Sequence, residues 1–557
     1  MRAVSKGPSI PGRLVRGLIL ACLLSSSATG ARPRVYAIVG ARIVAAPGRT
    51  LASGTVVIRN GTIAAVGESV LAPADAEIVD GKGMTVYPGL IDPFTHIGMP
   101  KPAEGGGETP KGPSKVTEKP VERGPGRANL QLRADARGSL LYQAPLAAEL
   151  EKMRKMGFTA ALAVPEGGVF RGTSALIALG GDDPARSILL ADAAAHLSFD
   201  TAPGDVYPAS LMGAIALIRQ TFEDARRQAL WKERWRKNPQ GLERPPLAPV
   251  LDAVSEILSR TRRPVFEAND THAYARIAAI AREFSLSPVI VANGFESEAL
   301  DELRRDRYPL IVPVAFPDPP HFDDADAELD VTTRELRRWE AAPANPAALR
   351  SAGIPFTLTT YRLKNVSDFR KNVAKAIARG LPADAALEAV TIGPARLLGA
   401  EAVLGTVEEG KIANLVLTDG DLFAEKTEVK KLFVDGQPVE VEAESKDFDP
   451  NAKVDPRGTW ELTYTIAGQT VSRTWKIEGT LASLAGTGET QAGKVPLAGL
   501  SLTGNRLTGS YTAGTYGVVE FKWIIKGEEV TGSLTVPSGE KISLSGKRTA
   551  KPEGSMP

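Results

Sequence analysis

Four short, almost unbroken apolar runs constrain this chain most: PVFEAN, PVIVANG, PLIVPVAF and IPFTLTTY. Runs this brief and this apolar read as strands buried on both faces rather than as helices. Segments of helical period separate them. LAAELEKMRKM (Leu146 to Met156) stops at Gly157, ahead of the strand-like FTAALAV. A longer amphipathic stretch runs from Leu211 to Leu230, and VLDAVSEIL places Val250, Leu251, Val254, Ile257 and Leu258 on one face. Alternation of this kind predicts an α/β unit, either a β/α barrel or a doubly wound parallel sheet. With 557 residues the chain exceeds what one core supports, so further domains are expected.

The flanks are β in character. Between Val35 and Pro88, Asn60-Gly61 separates two β-rich runs, the signature of a type I′ hairpin. Lys101 to Arg127 is rich in Gly, Pro, Lys and Glu and reads as a mobile loop. From Gly405 the pattern returns to β. The final part, Gly458 to Arg548, has no helical period and repeats a phrase at Gly486, Gly509 and Gly532, which are 23 residues apart. That spacing predicts a meandering sheet or small barrel, with Trp460, Trp475 and Trp523 in its core. KDFDPNAKVDP (Lys446 to Pro456) reads as the linker before it.

The first 31 residues differ from the rest. Arg2, Lys6, Arg13 and Arg16 precede the apolar run LILACLL, and small residues follow up to Ala31. This is the pattern of a secretory signal, and its apolar part is too short to span a bilayer. Cys22, the single cysteine, lies within it, so the mature chain is expected to hold neither thiol nor disulfide. Cleavage would remove four of the 67 basic residues and none of the 65 acidic ones, leaving a net charge of −2. Such a balance gives no electrostatic case for nucleic acid or an anionic membrane, and the expected location is periplasmic or secreted.

Several motifs carry a resemblance. VVIRNGTIAAVG, AEIVDGKGMTVYPGLID, LGTVEEGKIANLVL and LFVDGQPV resemble the flanks of an amidohydrolase-superfamily barrel, over roughly Val35 to Val441. PEGGVFRGTS and the stretch from Leu197 to Ala225 are similar to an exported, imidazolonepropionase-like subgroup with an altered metal-binding motif. The resemblance implies a TIM-type (β/α)8 barrel over residues 88–401 and a composite β-sandwich from residues 32–87 and 402–445, with the all-β domain at 457–550. It also implies one or two divalent metals at the strand ends, where a metal-bound hydroxide attacks the carbonyl of a C–N bond.

The family's ligands are a His-x-His pair on the first strand, a carboxylated Lys or Glu on the fourth, single histidines on the fifth and sixth, and an Asp on the eighth. In this chain Asp92-Pro93-Phe94-Thr95-His96 keeps the second histidine and puts Phe94 at the first. Glu267 stands at the fifth-strand position and Asn293 at the sixth, while Thr360 or Tyr361 replaces the aspartate. His96 and Glu267 are thus the metal ligands that remain, with a hard cation or a metal-free polar cluster as the two options. The other histidines, His196, His272 and His321, lie outside the strand-end motifs and read as surface or capping residues. On PEGGVFRGTS, Glu166, Arg171 and Ser174 read as a glycine-rich loop able to hold an anion, or as a turn in which Arg171 pairs with Glu166. Tyr207 and Ser210 read as the cap of the long helix that carries Arg219.

Two functions follow from these residues. One is a C–N hydrolase using a rebuilt metal site or metal-free chemistry, with Glu267, His96, Asn293 and Tyr361 as catalytic groups and Glu166, Arg171, Ser174, Tyr207 and Thr360 around the substrate. The other is a barrel that binds a small-molecule or peptide-like ligand without turning it over; the oligomeric state is open in both. The signal itself is directly testable. Mass spectrometry of protein from the native envelope should find a mature N-terminus near Ala31, and an intact Met1 in the cytoplasm would contradict the reading.

Overall fold

The computed structural model describes residues 35–101, 129–181, 183–201, 206–320, 331–441, 447–449, 452–466, 468–481, 483–490, 493–514, 517–536 and 541–551. The signal segment, all but Lys101 of the Gly/Pro-rich loop, and His321 lie outside them.

The apolar runs form the parallel strands expected of them. Ala195–Leu197, Pro264–Glu267, Val289–Val291, Leu310–Pro313 and Phe356–Thr359 pair side by side in that order, all parallel. Leu90–Thr95 pairs in parallel with Phe158–Ala163. One further segment joins these two groups, and here the structure departs from an all-parallel sheet. Phe170–Thr173 runs antiparallel to Ala195–Leu197, and Ala175–Ala178 runs antiparallel to Phe158–Ala163. The reversal starts at Gly167 and Gly168, whose φ of +75° and +91° turn the chain back on itself. PEGGVFRGTS is therefore half turn and half buried strand, not a loop, and Arg171 and Ser174 sit inside the sheet.

At the other seam, Thr359 Oγ1 lies 2.6 Å from Asp92 Oδ1 and 2.8 Å from the Phe94 carbonyl, and its one proton ties the last strand to the first. Side chains alternate about this path as strand geometry requires. Val265, Val289, Val291, Ile311, Ile91 and Phe94 pack together on the inside. Phe266, Ile290, Leu310 and Leu358 point outward into the layer of helices. The helices include Ala147–Lys155, Leu211–Lys237, Pro249–Leu258 and Ala273–Phe284.

The two β flanks, far apart in sequence, form one sheet. Leu415–Thr418 pairs with Thr85–Pro88, and Val35–Ala46 pairs with Arg49–Arg59. Asn60 and Gly61 both have positive φ, at 54° and 81°, as the hairpin signal requires.

The C-terminal part is an antiparallel meander of nine strands in which the last, Lys541–Ala550, returns to pair with the first, Gly458–Ile466. Trp460, Trp475 and Trp523 are fully buried in its core. The repeated glycines sit mid-strand where strands approach closely: a Cβ at Gly532 would meet the Lys522 carbonyl oxygen at 2.0 Å.

The segment read as a linker is partly bound to this sheet. Asp449 and Asn505 exchange hydrogen bonds, Asn505 Nδ2 donates to the Asp447 carbonyl, Lys526 pairs with Asp447, and the Arg506 guanidinium lies 4.0 Å from the Phe448 ring centroid. Glu520 joins the sheet to the rest of the molecule, accepting from the Ala147 and Ala148 backbone N–H groups at the start of helix Ala147–Lys155. A fragment of residues 447–551 should therefore unfold cooperatively and be more stable than one of residues 457–551, by about 1–3 kcal/mol for the lost hydrogen bonds and ring contact. Equal urea midpoints would show that Asp447, Phe448 and Asp449 contribute nothing.

Candidate functional site

The parallel strands end at one mouth, and the side chains at their ends form two connected groups, one aromatic and one charged.

Phe94, fully buried, is the hub of the aromatic group. Its ring centroid lies 4.6 Å from Tyr361, 5.4 Å from His96 and 5.7 Å from His196. His96 Nδ1 lies 2.7 Å from the Val164 carbonyl. A carbonyl can only accept, so Nδ1 carries the proton and Nε2 keeps its lone pair. Burial lowers the pKa of His96, and the bond to Val164 opposes this only in part. The ring is thus neutral near pH 7, with a basic nitrogen available.

His196 was expected at the surface or at a cap. Instead it lies on Ala195–Leu197, fully buried beside Phe94, and neither ring nitrogen has a hydrogen-bond partner. Burial, with the Arg171 charge next, pushes its pKa well down, so it too is neutral. The misreading has a plain cause, since AHL is too short a run to announce a strand. His272 does sit at a helix N-cap position, exposed and without a side-chain capping bond.

Arg171 centres the charged group. Its side chain, 7% exposed, reaches Glu267 Oε1 at 2.5 Å through Nη1 and donates to Asp200 Oδ2 at 2.6 Å through Nη2. It does not pair with Glu166, whose carbonyl accepts from Arg133 instead. Burial works against the Arg171 charge, but Glu267 and Asp200 outweigh it and the pKa is raised. For Glu267, burial dominates and raises the pKa, with Arg171 pulling the other way. Tyr361 Oη donates to Glu267 Oε2 at 3.2 Å, and burial, followed by the Glu267 charge, holds the phenol at about 12. Arg362 donates to Asn269 Oδ1 at 2.8 Å, and its guanidinium lies 5.4 Å from the Tyr361 ring centroid.

Other expected site residues lie elsewhere. Asn293 closes its own turn: its Oδ1 accepts from Phe295 N, and its N–H donates to Glu296. Ser174 is buried and its Oγ lies 3.5 Å from the Ala194 carbonyl. Ser210 caps the long helix through Gly213 N–H, whereas Tyr207 is half exposed and donates to the Gly213 carbonyl. Arg219 pairs with Glu283 at the surface. Thr360 turns inward and donates, through N–H and Oγ1, to Asp92 Oδ2.

Asp92 was not expected to matter and is the most enclosed carboxylate of the mouth. Burial raises its pKa to about 6 against the Thr359 and Thr360 bonds that favour its charge. Its place in DPFTH, two residues before Phe94, was the available signal.

A divalent metal of the kind the resemblance implies needs at least three good donors brought together. Glu267 has one oxygen at Arg171 and the other at Tyr361, Asn293 faces its own turn, and Phe94 fills the space between His96, His196 and Tyr361. Among the described residues no three His, Cys, Asp or Glu side chains gather in a way that could hold an ion. These residues do not fit the group.

Comparison with known proteins places the scaffold. A model of the amidohydrolase family matches residues 330–439. The imidazolonepropionase of Geobacillus kaustophilus (strain HTA426) is 56% identical over 52 residues, which is 8% of this chain and only 12% of that relative. Among solved structures, an amidohydrolase from Thermotoga maritima MSB8 has a TM-score of 0.57 at 22% identity, covering 72% of this chain and 99% of its own. That likeness concerns the fold, and it implies a TIM-type barrel for the ring of strands described above.

Two expectations follow. Arg171→Met leaves Glu267 buried without its cation and should cost about 3–5 kcal/mol in urea unfolding, most of it recovered by adding Glu267→Gln; equal losses in the single and double variants would contradict the pairing. The second concerns pH. Asp92 has a folded pKa of about 6 against an ordinary 3.8, so the unfolded chain releases this proton first as pH rises. The stability it gives is present at low pH and is lost between about 4 and 6. Asp92→Asn should flatten that fall, and an unchanged profile of urea midpoints would rule it out.

Proposed function

We propose that the chain is an exported member of the amidohydrolase superfamily whose barrel centre works without a metal and that it binds a small or peptide-like ligand at the mouth. The observation that carries this is the Arg171–Glu267 contact of 2.5 Å. In the superfamily the position of Glu267 serves a cation delivered by solvent. Here the cation is a guanidinium from Phe170–Thr173, on the far side of Ala195–Leu197 from the Glu267 strand, and it stands in ion contact with Oε1. Phe94 supports the same reading, because a phenyl group cannot ligate and its volume takes the space a hydrated ion would need. The N-terminal segment supports export to the periplasm or beyond.

A second reading rests on His96. With Nδ1 pinned by Val164 and Nε2 free, its ring has the tautomer of a general base, and burial keeps it unprotonated near neutrality. On that reading His96 takes a proton from water attacking a C–N carbonyl, Tyr361 turns its hydroxyl from Glu267 to the developing oxyanion, and the His96 proton then passes to the leaving nitrogen as the C–N bond breaks. Glu267 holds Tyr361 in the resting site through Oε2, while its Oε1 faces the Arg171 guanidinium.

Calorimetric titration of chelator-treated protein separates these readings from a metal hydrolase. The wild type should bind zinc no more tightly than His96→Ala. Phe94→His with Arg171→Met and Glu267→His should raise zinc affinity, though within about 10 to 100-fold of what a full outer shell would allow. Tight zinc binding by the wild type, lost in His96→Ala together with amide hydrolysis, would overturn the metal-free reading. Zinc-independent hydrolysis lost in His96→Ala would favour the second reading over the first.

A further inference from the structure

Beside the aromatic and charged groups, at the ends of strands Leu310–Pro313 and Phe356–Thr359, lies a cavity of about 670 Å³. This volume is in the range of small-ligand sites. Its two walls differ in chemistry. One is apolar and aromatic, formed by Phe316, Pro317, Trp339 and Pro343, with Trp339 left 38% exposed. The other is the helix Phe369–Ala378 and its C-cap, which present Lys371, Lys375 and Arg379. At spacings of four residues these three cations share one helix face.

Like charges at that spacing repel and destabilise a helix. Placement near a helix C-terminus relieves Lys375 and Arg379, but Lys371 is in the first turn, where the helix dipole disfavours a cation. None of the three has an ion-pair partner among the described residues. Asp318, Glu340 and Asp368 also line the cavity, and Asp318 is taken by Lys364 at 2.6 Å. Among the described residues five basic side chains of the lining stand against three acidic ones.

The fifth base is Arg362, a non-glycine residue at φ +68°, a backbone strain that concentrates at functional sites. Arg362 also lines a smaller cavity of about 270 Å³, where Arg334 and Arg338 are paired with Glu298. It also contacts Tyr361, so it links the cavity to the barrel centre.

We propose that this cavity takes an amphipathic organic anion: a carboxylate held by Lys371, Lys375 and Arg362, joined to an aromatic or bulky apolar group that lies against Trp339 and Phe316. This rests on the binding reading above and names the ligand class for it. A neutral ligand would leave the lysines unrelieved, and a small inorganic anion would leave the Trp339 wall bare.

The test uses the full mature chain and N-benzoyl-L-glutamate as probe, with benzamide and L-glutamate as the two half-ligands, in calorimetry at low and moderate salt. The whole probe should bind measurably more tightly than either half and weaken as salt rises. Lys371→Glu with Lys375→Glu, both exposed and outside the core, should weaken it about tenfold or more, and Trp339→Ala about fivefold. Unaltered binding in both variants would overturn the proposal while leaving a binding protein with its ligand elsewhere. No binding of the probe to the wild type would also overturn it. The zinc titration judges the metal-free reading independently, so the two can fail separately.

Discussion

The contact between Arg171 and Glu267 is the constraint on which the rest of the mouth depends. A carboxylate with 2% exposure of its side chain cannot stay charged without a cation. Superfamily barrels usually supply that cation as a metal, which in turn requires a ring of nitrogen and oxygen donors. On the metal-free reading proposed above a guanidinium supplies it, and the ring of donors is not needed. Phe94 can then fill the space, Asn293 can close its own turn, and Thr360 can turn inward to Asp92. The same guanidinium reaches Asp200, which ties the reversed strand to the ends of Ala195–Leu197 and Pro264–Glu267.

The reversal of Phe170–Ala178 follows the same logic. It places Arg171 inside the sheet with its side chain pointing at Glu267, a position no loop would hold as firmly. Gly172, at φ +98°, lets this strand pass the Ala136 carbonyl, which a Cβ would meet at 2.3 Å. Fold and site are thus set by one short segment, and the neutral histidines beside it are neutral partly because of its charge.

Much of this was legible in the sequence where the signal is local. The apolar runs, the Asn60-Gly61 hairpin and the Gly157 stop can each be read within a few residues. The partners could not be. Arg171 and Glu267 are 96 positions apart, and the nearer Glu166 made a plausible false partner. Asp92 finds Thr359 across 267 positions, a contact that exists only because the last strand meets the first. His196 was missed because three residues carry too little periodicity to mark a buried strand. The supposed linker misled for the opposite reason: its polar composition is that of a free segment, yet Asp447 and Asp449 find partners in Lys526 and Asn505 that only the folded sheet brings near.

If a built-in guanidinium does the work of a metal, the fold should be indifferent to metal. Thermal unfolding of the protein, followed with chelator and then with a zinc excess, tests this most directly. The account predicts one unchanged midpoint in both conditions. A bound ion present at 100 times its dissociation constant would add about 2.7 kcal/mol, a shift of several degrees on its removal, and a midpoint that falls in chelator and recovers with zinc would contradict the account.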